Sequence, residues 1–283
     1  MRLKAARLTI SCALFVMMIG ASLVHGQNPD SMMPDQSAAK AKQVLRQLIE
    51  AQGGLSYVGV RERECEGRRA QFGHSGDLTG FIDFKDYWHY PDKHRVDYSK
   101  KGNIIDLFNG DHGWTMDRSG VSEEPPTSVA DFQESVKRNI DNLLRVRLKE
   151  PGLFLRYGGT DLVDLKEIEW VEITDSEQRV FRLAIDHSSH LLVRSVVITV
   201  DENTHERAED VVVYTNYHLL DGVQTPLQIT RERDGRKIYQ AFLEGCKYNS
   251  GMPDDFFSRE ALEKRFAEVG SKKEKDKFKN SRN

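Results

Sequence analysis

The sequence lacks the motifs through which most motif-bearing enzymes work. It has no glycine-rich phosphate loop, no nucleophile elbow and no His-Glu-x-x-His pair. No nucleophile and base can be paired, which leaves a hydrolase as the weakest functional reading. A basic surplus is also missing. Lys and Arg number 41 against 44 Asp and Glu, and a chain without a basic footprint is a poor nucleic-acid binder. Internal repeats and a proline-rich linker between domains are absent, so the chain reads as one domain. Cysteine is scarce. Cys12 lies in an apolar leader, leaving Cys65 and Cys246 in the rest of the chain. Each falls in an expected strand; in an oxidising compartment they can pair, and two free thiols are the alternative.

What is present begins with that leader. Arg2, Lys4 and Arg7 precede an apolar run from Leu8 to Val24, and Val24-His25-Gly26 offers a cleavage site before Gln27. This is the three-part pattern of a secretory signal over residues 1–26, with an uncleaved anchor as the alternative. Thr9-Ile10-Ser11 before Cys12 is a poor lipidation signal. Without the leader the chain has 38 basic residues against 44 acidic ones. The full sequence, at 30% charged and 39% hydrophobic, has the composition expected of a soluble globular protein.

A polar linker over residues 27–36 leads to a helix that Ser37 can cap, with Ala41, Val44, Leu45 and Leu48 at helical spacing. Gly53-Gly54 ends it. Short strands separated by turns come next, from Val58 to Asp117, and the spacing predicts a meandering antiparallel sheet. Pro125-Pro126 interrupts it. Thr127–Lys149 reads as one amphipathic helix with Val129, Phe132, Val136, Ile140, Leu143, Leu144 and Leu148 along its stripe. Strands resume at Glu167 and run to a hairpin turning at Asp234-Gly235. A two-residue loop there sets Leu227 opposite Phe242. One face then carries Leu227, Ile229, Ile238 and Phe242, the other Gln228, Thr230, Glu232 and Lys237. A short helix at Asp254–Phe266 and a basic, disordered tail over 267–283 close the chain.

Titratable residues give little. His187 and His190 flank a hairpin turn, and His89 and His94 flank Pro91; without further ligands they read as solvated turn histidines rather than a metal site. Asp83, Asp86 and Asp97 alternate on strands and read as a wet face. No catalytic residue, metal or cofactor is assigned.

The C-terminal stretch carries a resemblance. Tyr214-x-x-Tyr217, Asp221-Gly222-Val223, Pro226, the hairpin and the run from Asn249 to Phe257 look like the end of a LolA-like protein. Pro91-x-x-x-Arg95, then Asn109-Gly110-x-x-Gly113-Trp114, is similar to that superfamily's central progression, so the resemblance covers residues 37–266. It implies an α+β fold: a curved, unclosed antiparallel half-barrel covered by amphipathic helices, with Thr127–Lys149 as lid. It also implies an apolar cavity for a lipid, acyl chain or lipoprotein. The lining falls to Ile82, Phe84 and Trp88, to Phe132, Val136, Ile140 and Leu144 on the lid, and to Leu227, Ile229, Ile238 and Phe242 on the hairpin. One departure stands out. Tyr90 occupies the position where the lipoprotein carrier of the family places an arginine tied to lid closure. The expectation is a monomeric, periplasmic, non-enzymatic carrier or sensor that touches the membrane transiently and works with an unnamed envelope protein. The alternative is an interaction module with a filled core.

Overall fold

The computed structural model describes residues 31–98, 102–200 and 207–280. The expected leader lies outside them. The first half of the chain lays down β1 (Glu62–Phe72), β2 (Leu78–His89), β3 (Lys93–Tyr98), β4 (Ile104–Asn109), β5 (His112–Met116) and β6 (Val121–Glu123). The second half adds β7 (Phe154–Val163), β8 (Lys166–Thr174), β9 (Val180–Asp186), β10 (Leu192–Val200), β11 (Arg207–Leu220), β12 (Val223–Arg233) and β13 (Arg236–Tyr248). Within each half, every strand pairs antiparallel with the one before it. β13 then pairs with β1. Two meanders thus join at one seam into a single 13-stranded sheet, open at β6 and β7. This is the unclosed half-barrel of the α+β class that the resemblance implies.

The seam is fastened chemically. Cys65 and Cys246 lie directly opposite each other and form a disulfide. Strand spacing alone could not bring the first and last strands together. Asn249, just past β13, accepts the backbone N–H groups of Arg61 and Glu62 at 2.8 and 3.1 Å.

Helix α1 (Pro34–Gln52) lies on β7 and β8. It buries Ala41, Val44, Leu45 and Leu48 in one cluster with Val171, Ile173, Phe181, Leu183 and Ile185. Proline at its first turn starts it three residues before the expected cap. Ser37 is therefore inside the helix, where its hydroxyl accepts the Tyr157 backbone N–H at 2.9 Å. Gly53 ends α1 at φ 131°, and a Cβ there would sit 2.3 Å from the Gly222 carbonyl oxygen, so the close approach to the β11–β12 turn requires glycine. A short α2 (Leu55–Val58) follows and takes in Val58, the first residue expected in a strand, so β1 begins four residues later, at Glu62.

The chain between the two open edges supplies the lid. It must cross from β6 to β7, so topology lays it over the mouth. The expected single rod is broken in two, α3 (Pro126–Arg138) and α4 (Ile140–Arg145), with a 3₁₀ turn after them at Arg147–Lys149. Asn139 makes the break. Its backbone is extended, and its side chain accepts the Asn142 N–H to cap α4. Asn142 is buried and donates to the Pro91 and Val136 carbonyls at 2.8 and 3.2 Å, tying the lid to the β2–β3 turn.

Other differences are local. β7 is a strand ahead of the expected resumption at Glu167, and a bulge between Tyr157 and Gly159 accommodates its Gly158-Gly159 pair. A bulge also shifts the final hairpin. Arg233 faces Arg236 as expected, but Arg231 faces Tyr239 and Gln228 faces Phe242, with Ile238 as the extra residue. The one-residue slip moves Phe242 to the face of Gln228 and brings Tyr239 to the inner face. The C-terminal helix α5 (Arg259–Asn280) continues through a stretch expected to be disordered. Its Leu262 packs on Ile105, Leu107 and Met116, on the sheet face away from the lid.

Candidate functional site: a polar cavity under the lid

Helix α1 fills the β7–β9 half of the concave face. A cavity of about 380 Å³ remains over the other half, between the lid and strands β1, β2 and β10–β13. Of the expected apolar lining, Trp88, Ile140 and Ile229 border it. Phe132 and Leu144 are buried in the solid core instead, and Val136 packs against that core. Phe132 stacks on Phe108 at 4.6 Å. Phe84 borders a separate depression near α5, and Ile82 and Leu227 are half-buried. Ile238 and Phe242 are 41% and 40% exposed, displaced by the hairpin bulge.

The space is more polar than expected. Its centre is Asp141, on the first turn of α4. Asp141 receives the hydroxyls of Tyr57 at 3.0 Å and Tyr90 at 3.1 Å. It pairs with Arg145 at 3.2 Å and Arg63 at 3.5 Å. Burial alone would raise its carboxyl, but the two guanidinium groups and the two hydroxyls outweigh it and hold the pKa below the usual value. The same charge acts on the phenols. Burial, reinforced by Asp141, pushes both Tyr57 and Tyr90 well above the ordinary tyrosine range, so both stay protonated donors. The Arg145 guanidinium lies over the Tyr57 and Tyr90 rings at 4.3 and 4.8 Å. A residue of the lid is thereby clamped to α2, β1 and the β2–β3 turn.

A second carboxylate continues the network. Asp86 on β2 meets Arg63 at 2.7 Å and His94 Nε2 at 2.7 Å. Burial opposes its ionisation, yet Arg63 and His94 bring its pKa down to about 2. His94 also stacks on Trp88 at 4.2 Å. Asp86 is therefore not part of a wet face, and His94 is not a solvated turn histidine. Toward the rim, Asp210 sits between Arg138 at 3.5 Å and Arg231 at 3.3 Å. Tyr214, Tyr217 and Tyr248 line the wall with hydroxyls engaged by Ser195, the Leu192 carbonyl and Thr225. Such a set binds and orients. Among the described residues no group of His, Cys, Asp and Glu is placed to hold a metal.

Solved structures share this architecture. A DUF1329 family protein from Desulfovibrio piger superposes with a TM-score of 0.58 at 13% identity, covering 80% of this chain and 99% of that one. A putative outer membrane lipoprotein-sorting protein domain from Vibrio parahaemolyticus gives 0.53 at 9% identity, over 80% and 99%. A LolA superfamily protein from Nitrosomonas europaea gives 0.50 at 12% identity, over 78% and 99%. The chain has the LolA-like fold. No protein-family model matches the sequence, and no curated protein matches it.

Within this LolA-like half-barrel the clamp explains the Tyr90 departure. Tyr90 reaches the lid through a hydroxyl on Asp141 rather than through a charge. The cations are supplied by Arg63, from the neighbouring strand, and by Arg145, from the lid itself. Sequence reasoning misses the roles of Tyr57, Arg63, Asp86, His94 and Asp141. One local signal exists: Asp141 and Arg145 stand four apart on a helix, the spacing of an ion pair. The remaining partners lie 51 to 84 residues away from Asp141 and only the fold unites them.

Proposed function

We propose that the protein is a carrier or sensor for a lipid-like ligand in the cell envelope, holding an acyl chain between the concave sheet face and the lid. The observation that carries this reading is the 380 Å³ cavity under a lid fixed at that end by ion pairs and hydroxyls. The volume is within the range of small-molecule sites, about 300–1,000 Å³. Burial of each CH₂ contributes about 0.8 kcal/mol, so a chain of roughly ten carbons gains about 8 kcal/mol before the costs of association. No covalent step is assigned to the site. The LolA-like neighbours, the lipoprotein-sorting domain from Vibrio parahaemolyticus among them, support the reading at the level of fold.

The Cys65–Cys246 disulfide supports an oxidising compartment, and hence export to the periplasm. Among the described residues no helix is long and apolar enough to cross a membrane. Native mass spectrometry of the protein purified from its envelope, together with lipid extraction, tests the reading. Expected is a stoichiometric acyl-bearing ligand. Repeated recovery of an empty protein that takes up no added lipid would overturn it. The filled α1 half of the barrel favours a second reading, an envelope interaction module that binds another protein and no lipid. It predicts that empty outcome.

A further inference from the structure

The charges on the cavity wall are not balanced. Four arginines face it against three aspartates, a surplus of one positive charge before His94 is counted. The whole chain has the opposite sign, at −3. The surplus has a place. Deep in the cavity Arg63 and Arg145 answer Asp86 and Asp141 one for one. Toward the rim Arg138 and Arg231 share the single carboxylate of Asp210, at 3.5 and 3.3 Å, the long end of ion-pair contact. Arg231 is the most exposed of the four, its side chain 41% accessible.

From this arrangement we propose that the cavity selects an anionic amphiphile, a single acyl chain with a carboxylate or phosphate head. The head sits at the Arg138–Arg231 pair and the chain runs inward over Trp88, Ile140 and Ile229. Planar guanidinium groups suit both oxyanions, and the two arginines already flank a carboxylate in this geometry. Asp210 is the competitor the head displaces from one of them. The inference rests on the lipid reading and narrows it to one class of head.

The test compares dodecanoate, dodecyl phosphate and 1-dodecanol, each titrated calorimetrically into the full mature chain below its micelle concentration. Charge-assisted contacts are expected to favour an anion over the alcohol by about 10- to 100-fold. The better of the two anions identifies the head. In Arg138→Gln/Arg231→Gln, both near the rim, that preference should fall to nearly one, the loss falling on the anions far more than on 1-dodecanol. Equal binding of alcohol and anions overturns the charge selection and leaves the lipid reading standing. An undiminished preference in a folded double variant overturns the assignment to these arginines. Failure of all three to bind removes the lipid reading itself.

Discussion

At the scale of single residues, Asp141 is where the polar contacts between the lid and the rest of the fold converge. Four side chains converge on its two carboxylate oxygens, and three of them come from outside the lid. Removing one partner of a buried ion pair costs about 3–5 kcal/mol, because the remaining charge is left unanswered. Partial exposure of Asp141 places Asp141→Asn toward or below the lower end of that range. The variant should also speed amide exchange across residues 126–145, measured by hydrogen–deuterium exchange, and leave β8 and β9 protected. Unchanged lid exchange in a folded variant would sink the clamp. Tyr57→Phe and Tyr90→Phe each delete one hydroxyl and should cost about 1 kcal/mol. The pH dependence has a definite sign. Asp141 and Asp86 both ionise more readily in the folded protein than in the unfolded chain, Asp86 at about 2 instead of 3.8. Their contribution is therefore complete above about pH 4 and is lost as pH falls toward 2. Denaturation midpoints should be insensitive to these two groups in neutral and mildly acidic buffer and drop below about pH 4. Lid exchange that accelerates already between pH 7 and 5 would assign control to another group.

At the scale of elements, the lid is legible as an amphipathic stretch, but its division of labour is not. The apolar stripe reads as one face over one space. The helix breaks at Asn139, and the stripe divides unevenly: Phe132 on α3 and Leu144 on α4 join the solid core, while Ile140 borders the cavity and packs against that core. Asn is a good helix cap, yet mid-pattern it does not announce a stop. The hairpin shows the same limit. Asp234-Gly235 fixes the turn, and a bulge a few residues away then reverses the faces of the rest of β13, because side chains alternate with period two. The meander and the lid's place between two runs of strands are recoverable from turn residues, whereas β7 is hidden by its paired glycines. The two lid surfaces can be separated by mutation. Phe132→Ala should cost about 3–5 kcal/mol in urea denaturation, as expected for a buried aromatic. Ile140→Ala, beside existing space, should cost less than about 2 kcal/mol and chiefly weaken binding of an acyl probe. Equal stability losses at the two positions would mean that the lid covers one continuous filled core.

At the scale of the molecule, the seam is where the structure is most exposed to chemistry. All of the sheet hangs on one pairing, β1 with β13, which joins residues separated by 181 positions. No local signal specifies it; Tyr, Asp-Gly and Pro punctuation marks each meander but not their meeting. A loop that long is entropically expensive to close, and a covalent link removes most of the cost from the unfolded chain. The chain-entropy estimate is about 5 kcal/mol, and measured values for disulfides cluster at about 2–4 kcal/mol. The bond also lies on the cavity wall, since Cys65 and Cys246 border it. Cys65→Ser/Cys246→Ser should therefore lower stability by about 2–5 kcal/mol. The parent protein denatured in the presence of reductant should match the variant. Because Asn249 and the β1–β13 hydrogen bonds remain, the variant should still fold and its lid exchange should stay near that of the parent. A variant equal in stability to the oxidised parent would show that the seam is held by pairing alone. A variant whose lid loosens together with the seam would show that the clamp at Asp141 depends on the position of Arg63, two residues from Cys65 on β1.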